Sequence, residues 1–209
     1  MEEKKSTPMI IAGAVILFLL AGCGAPRMQS SGFLSDYDRL RPVQKEEHVL
    51  YWEKPGVDWK RYDKLIIAPV QVRIVPADPP VELRPGEAEE LAGRLHEALV
   101  RGLRERYPVV ETAAPDVLVI RPALTHLKPV TPAVNIAATA LLGVPVDVGE
   151  AAVEAQFADS LSGRILGELT VSSRGSIVDI TRVWTRWDQV NRAFELWAQR
   201  LRRAMEEWG

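Results

Sequence analysis

An unbroken apolar run fills residues 9–21, and beyond it apolar side chains recur with the periods of helix and strand. In residues 87–107, Leu91, Leu95, Ala98, Leu99 and Leu103 fall three and four apart, with Arg94, Glu97, Arg101, Arg104 and Glu105 mainly off the stripe. That spacing predicts an amphipathic helix. Glu87, Glu89 and Glu90 suit its positive end, and Pro108 stops it. Val190, Phe194, Trp197, Leu201, Met205 and Trp208 step in the same way and predict a C-terminal helix, opened by a capping-box pair, Thr185 and Asp188.

Residues 151–160 alternate instead: Val153, Ala155 and Phe157 share one side, Glu154 and Gln156 the other. Ile165, Gly167, Leu169 and Val171 continue the alternation after Ser162-Gly163, which predicts a β-hairpin. Residues 64–75 are nearly all apolar through Val70, as expected of a strand buried on both faces. Pro69 there, and Pro122 in a second strand over 116–127, each mark a bulge or an edge. Residues 49–52 read as an edge strand ended by Pro55-Gly56, and 172–183 as irregular. Phe33, Leu34, Tyr37 and Leu40 have helical spacing, so a short turn of helix pinned to the domain is expected. The order of elements is not a repeating β-α unit. It predicts an α+β fold: a small, largely antiparallel sheet of four to five strands with two main helices on one face.

The leading run differs in kind. Lys4 and Lys5 precede it and small residues close it, the three parts of a secretory signal. Residues 9–21 are too few for a span, which needs roughly 20 apolar residues. Leu20-Ala21-Gly22-Cys23 matches the pattern at which a leader is cut and the cysteine thiol takes up a diacylglycerol. The expected organisation is a signal peptide over 1–22, a lipidated cysteine and tether over 23–48, and a single periplasm-facing domain over 49–209. Gly24 stands where Asp would retain a lipoprotein in the inner membrane, which leans towards the outer one.

Charge and cysteine content narrow the picture further. The 209 residues carry a net charge of −2, and removing 1–22 takes away two Glu and two Lys, leaving −2. Near-neutral balance gives no footprint for nucleic acid. Cys23 is the only cysteine, so no disulfide forms within one chain and a cysteine-ligated zinc site is not expected.

Several stretches resemble a known family. Residues 31–37 (SGFLSDY), 56–64 (GVDWKRYDK), Ala123-Leu124-Thr125 with Pro129 and Pro132 after it, and 153–160 followed by Ser162-Gly163 are similar to bacterial lipoproteins of the domain of unknown function 3313. The resemblance implies a periplasm-facing lipoprotein and brings no catalytic residues.

Candidate chemistry is sparse. His48, His96 and His126 lie far apart, without the spacing of metal ligands. No nucleophile elbow, phosphate loop or dinucleotide fingerprint occurs. Asp147 and Glu150 are the nearest thing to a paired-acid site. Two surfaces stand out. Residues 131–148 are largely apolar, which fits either a short element closing the core or an exposed patch meeting a partner or the membrane, with Val134, Ile136, Leu141 and Leu142 as its contacts. The C-terminal helix carries Trp187, Arg200 and Arg203. It fits either a core helix with a solvated face or a contact for anionic headgroups or an acidic partner. Together these features predict a non-catalytic accessory module at the cell envelope, with membrane lipid joined through Cys23, an envelope protein partner and no cofactor or metal. The alternative is a module for a lipid or small apolar ligand, with 131–148 as a lid; a hydrolase of envelope polymers ranks below both.

Overall fold

The computed structural model describes residues 30–44, 46, 48–76, 80–174 and 185–208. The leader, Cys23 and residues 175–184, which hold Arg182 and Trp184 just ahead of the C-terminal helix, lie outside the described residues. The chain runs β1 (Arg41–Pro42), β2 (Val49–Glu53), a 3-10 turn (Trp59–Arg61), β3 (Lys64–Ile67), β4 (Gln71–Val72), α1 (Glu87–Leu103), β5 (Val117–Lys128), α2 (Pro132–Leu142), β6 (Glu150–Asp159), β7 (Ile165–Arg174) and α3 (Asp188–Trp208).

The class is α+β, as expected, but the sheet is larger. Seven strands join in the order β1-β2-β7-β6-β5-β3, with β4 also on β5. It is mixed, because β3 and β4 run parallel to β5 while the other neighbours are antiparallel. Residues 64–75 therefore form two short strands broken at Pro69, not one. β3 is also not buried on both faces: Leu65 and Ile67 are buried, Lys64 and Ile66 only partly. Pro122 sits in the middle of the sheet and still strands no partner. The carbonyls of Ile120 and Leu124 accept from Ala68 and Arg73, and N–H groups two residues apart face the same side. The imino nitrogen of Pro122 therefore faces the gap between β3 and β4.

The hairpin forms over β6 and β7, with a register shift at Phe157/Ala158. Gly163, at φ 69°, takes the left-handed position of its turn. β7 continues through Ser172–Arg174, which had read as loop. α3 begins at Asp188, so Thr185 lies ahead of the helix while Asp188 is its first residue and puts a carboxylate in the first turn.

α1 and α3 pack on each other and on one sheet face, where Leu95, Leu103, Ile120, Leu124, Phe157 and Phe194 form the centre of the core. Gly102 permits their close approach, since a Cβ there would lie 2.8 Å from the Cβ of Ala198. The opposite face is covered by residues 31–40. This segment is pinned but not helical. The Tyr37 hydroxyl organises it, accepting the N–H groups of Phe33 (3.1 Å) and Leu34 (3.2 Å) and donating to Glu154 (2.7 Å).

Candidate functional site

The loop between β5 and β6 becomes a third helix, none of whose residues belongs to the hydrophobic core cluster. Pro132 opens α2 at the position where a missing N–H costs nothing, and Gly143 at φ 78° closes it. Of the predicted contacts, Val134 is 45% exposed, Ile136 61%, Leu141 82% and Leu142 62%. Val144 and Val146, which the sequence reading did not single out, are half exposed beside them.

This knob stands on a closed polar base. Asn135 is fully buried. Its side chain accepts the N–H groups of Val146 (3.0 Å) and Asp147 (2.8 Å) and donates to the Asp147 carbonyl (2.9 Å). The Asp147 carboxylate accepts the Thr131 N–H at 2.7 Å and the Lys128 ammonium at 3.1 Å. Burial works to raise the Asp147 pKa, and those donors outweigh it and hold the carboxyl below its ordinary value. Glu150 lies 3.4 Å from Arg174 and 3.7 Å from both Lys128 and His126. Asp147 and Glu150 thus both stand in the polar base of the knob, where they share the Lys128 ammonium.

The second predicted surface is not gathered into one place. Trp187 is half-buried near the base of the knob, and its indole N–H donates to Glu87 (2.9 Å). Arg200 and Arg203 lie roughly 20 Å further along α3 at 1.5 Å per residue. Arg203 is exposed, and Arg200 pairs with Glu46 at 3.2 Å. Arg200 stands at the rim of a largely apolar cavity of about 280 Å³ between α3 and the sheet, lined by Tyr51, Leu99, Ile120, Val153 and Trp197 among others. No residue of 131–148 lines it, so that segment is not its lid. The histidines are apart as well: the His96 ring nitrogen meets the Ile67 carbonyl at 3.2 Å, and no cluster among the described residues could hold a metal ion.

The alternation of β6 and β7 placed Glu154 and its neighbours on the side away from the helices, where solvent is the ordinary expectation. Instead Glu154 and Glu168 are buried beneath residues 31–40. Glu168 accepts from Arg39 (2.6 Å), the Ser35 N–H (2.8 Å) and hydroxyl (2.9 Å), and the Gln156 amide (2.9 Å). Arg39 also lies 3.4 Å over the Trp52 ring. Burial pushes the Glu168 carboxyl up, and its donors prevail and hold it below the usual range. No spacing in the sequence signals this pairing, because Arg39 and Glu168 are distant in the chain.

The sequence profile of a family described as protein of unknown function (DUF3313) matches residues 29–201. The chain belongs to the DUF3313 family. Among curated relatives, this DUF3313 protein is 28% identical over 120 residues to the uncharacterized lipoprotein YdcL of Escherichia coli K12, a match covering 55% of this chain and 54% of that one. The alignment spans about half the length of the curated relatives. Among solved structures it is similar to a PelC dodecamer from Paraburkholderia phytofirmans, with TM-score 0.43 and 12% identity over 74% of this chain and 96% of that one. It is also similar to the DUF330 protein XCC0632 from Xanthomonas campestris, with TM-score 0.42 and 15% identity over 71% and 86%. No helix among the described residues of the DUF3313 chain is long and apolar enough to cross a membrane.

Proposed function

We propose that this DUF3313 lipoprotein is a membrane-anchored, non-catalytic interaction module of the cell envelope, held by acyl chains on Cys23 and meeting an envelope partner through α2. The observation that carries the reading is the knob itself. Its exposed apolar residues, from Val134 to Val146, stand on a base rigidified by Asn135 and Asp147, and contiguous exposed apolar surface on a folded domain marks a contact. Leu20-Ala21-Gly22-Cys23 supports the anchor, and two acyl chains would hold the protein stably where one would not. Gly24 favours the outer membrane, facing the periplasm.

Mass spectrometry of the mature protein tests the anchor. The expected result is a chain beginning at acylated Cys23 that leaves the membrane fraction on Cys23→Ala. An unmodified thiol with residues 1–22 still attached refutes it. Cross-linking in intact cells tests the contact, and the absence of any reproducible adduct at α2, to protein or to lipid, counts against it.

The apolar cavity beneath α3 supports a second reading, a site for a small apolar ligand. Native mass spectrometry of protein purified without detergent would show the ligand. Ala155→Leu, which fills the lining, should expel it.

A further inference from the structure

We propose that α2 is a membrane foot, its apolar tip entering the hydrocarbon of the same bilayer that holds Cys23. This names the partner of the surface described above and rests on that reading of the anchor.

The path of the chain supplies the first argument. Ser35 bonds Glu168, the register partner of Gln156, the Phe33 carbonyl accepts from Gln156 at 3.3 Å, and Ser31 donates to Glu154 at 2.7 Å. Followed towards the N-terminus, the segment therefore travels along β6 from Gln156 to Glu154, heading for Glu150. Glu150 is where the α2 excursion rejoins the sheet. Glu154 is roughly 13 Å from that end at about 3.3 Å per residue. Cys23 can stand at most about 28 Å from Ser31 along an extended chain, and α2 adds roughly 16 Å of length. The tether is therefore long enough to bring the lipid anchor to the surface that α2 reaches.

The chemistry of the knob supplies the second. No charged side chain occurs between Lys128 and Asp147. Asn135, its amide-bearing residue, is buried and spent on the base. Every exposed residue of α2 is apolar, a surface that belongs in a core or in lipid, and α2 is outside the core. Protein interfaces keep a polar rim around the contact. Here the charged groups begin only at the base, with Lys128 and Arg174 set against Asp147 and Glu150. Among the described residues that ring is balanced, so burial of apolar surface drives insertion, with no demand for anionic headgroups.

The test uses the full acylated chain in vesicles of phosphatidylethanolamine and phosphatidylglycerol, and in vesicles of neutral phosphatidylcholine. Leu141→Cys carries a polarity-sensitive fluorophore, and Leu161→Cys, in the β6–β7 turn at the other end of the sheet, is the control. Both positions are exposed, 82% and 61%, so both variants fold. At residue 141 the expected result is several-fold stronger quenching by brominated acyl chains than by aqueous iodide, unchanged between the two lipids and by salt. At residue 161 the order reverses. Iodide-quenched emission at residue 141 on vesicle-bound protein overturns the proposal, and so does a discrete protein adduct from a photo-cross-linker at residue 141 in cells. The mass of Cys23 in the same preparation reports the anchor separately, so loss of the foot and loss of the anchor are distinguishable.

Discussion

Replacing Arg39 with Met should strand a charge inside the protein. The Glu168 side chain has no solvent exposure, and Arg39 is its cationic partner at 2.6 Å. Removing one member of a buried pair costs about 3–5 kcal/mol. The Arg39 side chain is 27% exposed, so water already weakens the pairing and the expected loss is near the low end, about 3 kcal/mol. That is a large share of the ~5–15 kcal/mol that holds a typical domain. Glu168→Gln keeps the shape and leaves the unpaired charge on Arg39, which reaches solvent, so it should cost less, about 1–2 kcal/mol. The pH dependence follows from the depressed carboxyl. Stability from a lowered pKa is fully present above the unfolded value, ~4.3 for Glu, and is lost as pH falls through the folded value. The deficit of Arg39→Met should therefore be widest at neutral pH and shrink in acid as Glu168 protonates. Urea unfolding followed by tryptophan fluorescence at a series of pH values reads both effects. A variant within about 0.5 kcal/mol of the parent at pH 7, or a deficit that does not change on acidification, refutes the reasoning.

Other outcomes follow from the same packing. Tyr37→Phe removes the donor to Glu154 and the acceptor of two backbone N–H groups, and should cost about 2 kcal/mol in urea unfolding. Gly102→Ala gains about 1 kcal/mol of helix propensity but loses about 1–3 kcal/mol to overpacking against Ala198. The net loss should be relieved by Ala198→Gly in the same chain, and a stabilised single variant would contradict the contact. Glu87 and Asp159 are both held at about 2. Burial works to raise Glu87, and Arg186, the Arg84 N–H and Trp187 outweigh it; the Ser162 hydroxyl and N–H chiefly lower Asp159. Their contribution is complete above the unfolded carboxyl range and lost as pH falls towards 2. The melting temperature should therefore drop across that window, less steeply in Glu87→Gln. Leu141→Ser should change stability by less than about 0.5 kcal/mol, because the side chain packs on nothing there.

Long periodic segments were legible because their burial is one-sided. The stripe of α1 and the alternation of β6 and β7 were readable residue by residue. The two-residue strands β1 and β4 carry no period at all, which is why the sheet exceeds the four to five strands expected. Parallel pairing of Leu65 with Leu118 was equally invisible, since an apolar run fits an edge strand covered by α1 as well as a doubly buried one. Phe33, Leu34, Tyr37 and Leu40 had helical spacing, yet a tyrosine hydroxyl took the backbone N–H groups that a helix would use otherwise. The apolar character of 131–148 was plain, but exposure was not, because Ile136 or Leu141 would look the same in a core. Asn135 was not singled out, because nothing local said which backbone its amide would meet.

Lys128 and Glu150 are already register partners in adjacent antiparallel strands, so everything between them is, topologically, the connection of a hairpin. Val130 and Val148 seal into the domain on either side, and Asn135 and Asp147 tie the two legs together just beyond. Lineages could therefore lengthen, shorten or replace the tip without retuning the sheet, exchanging what the molecule touches while inheriting how it folds. Grafting a tight turn in place of residues 131–147 should leave a domain that still assembles but has forfeited its grip.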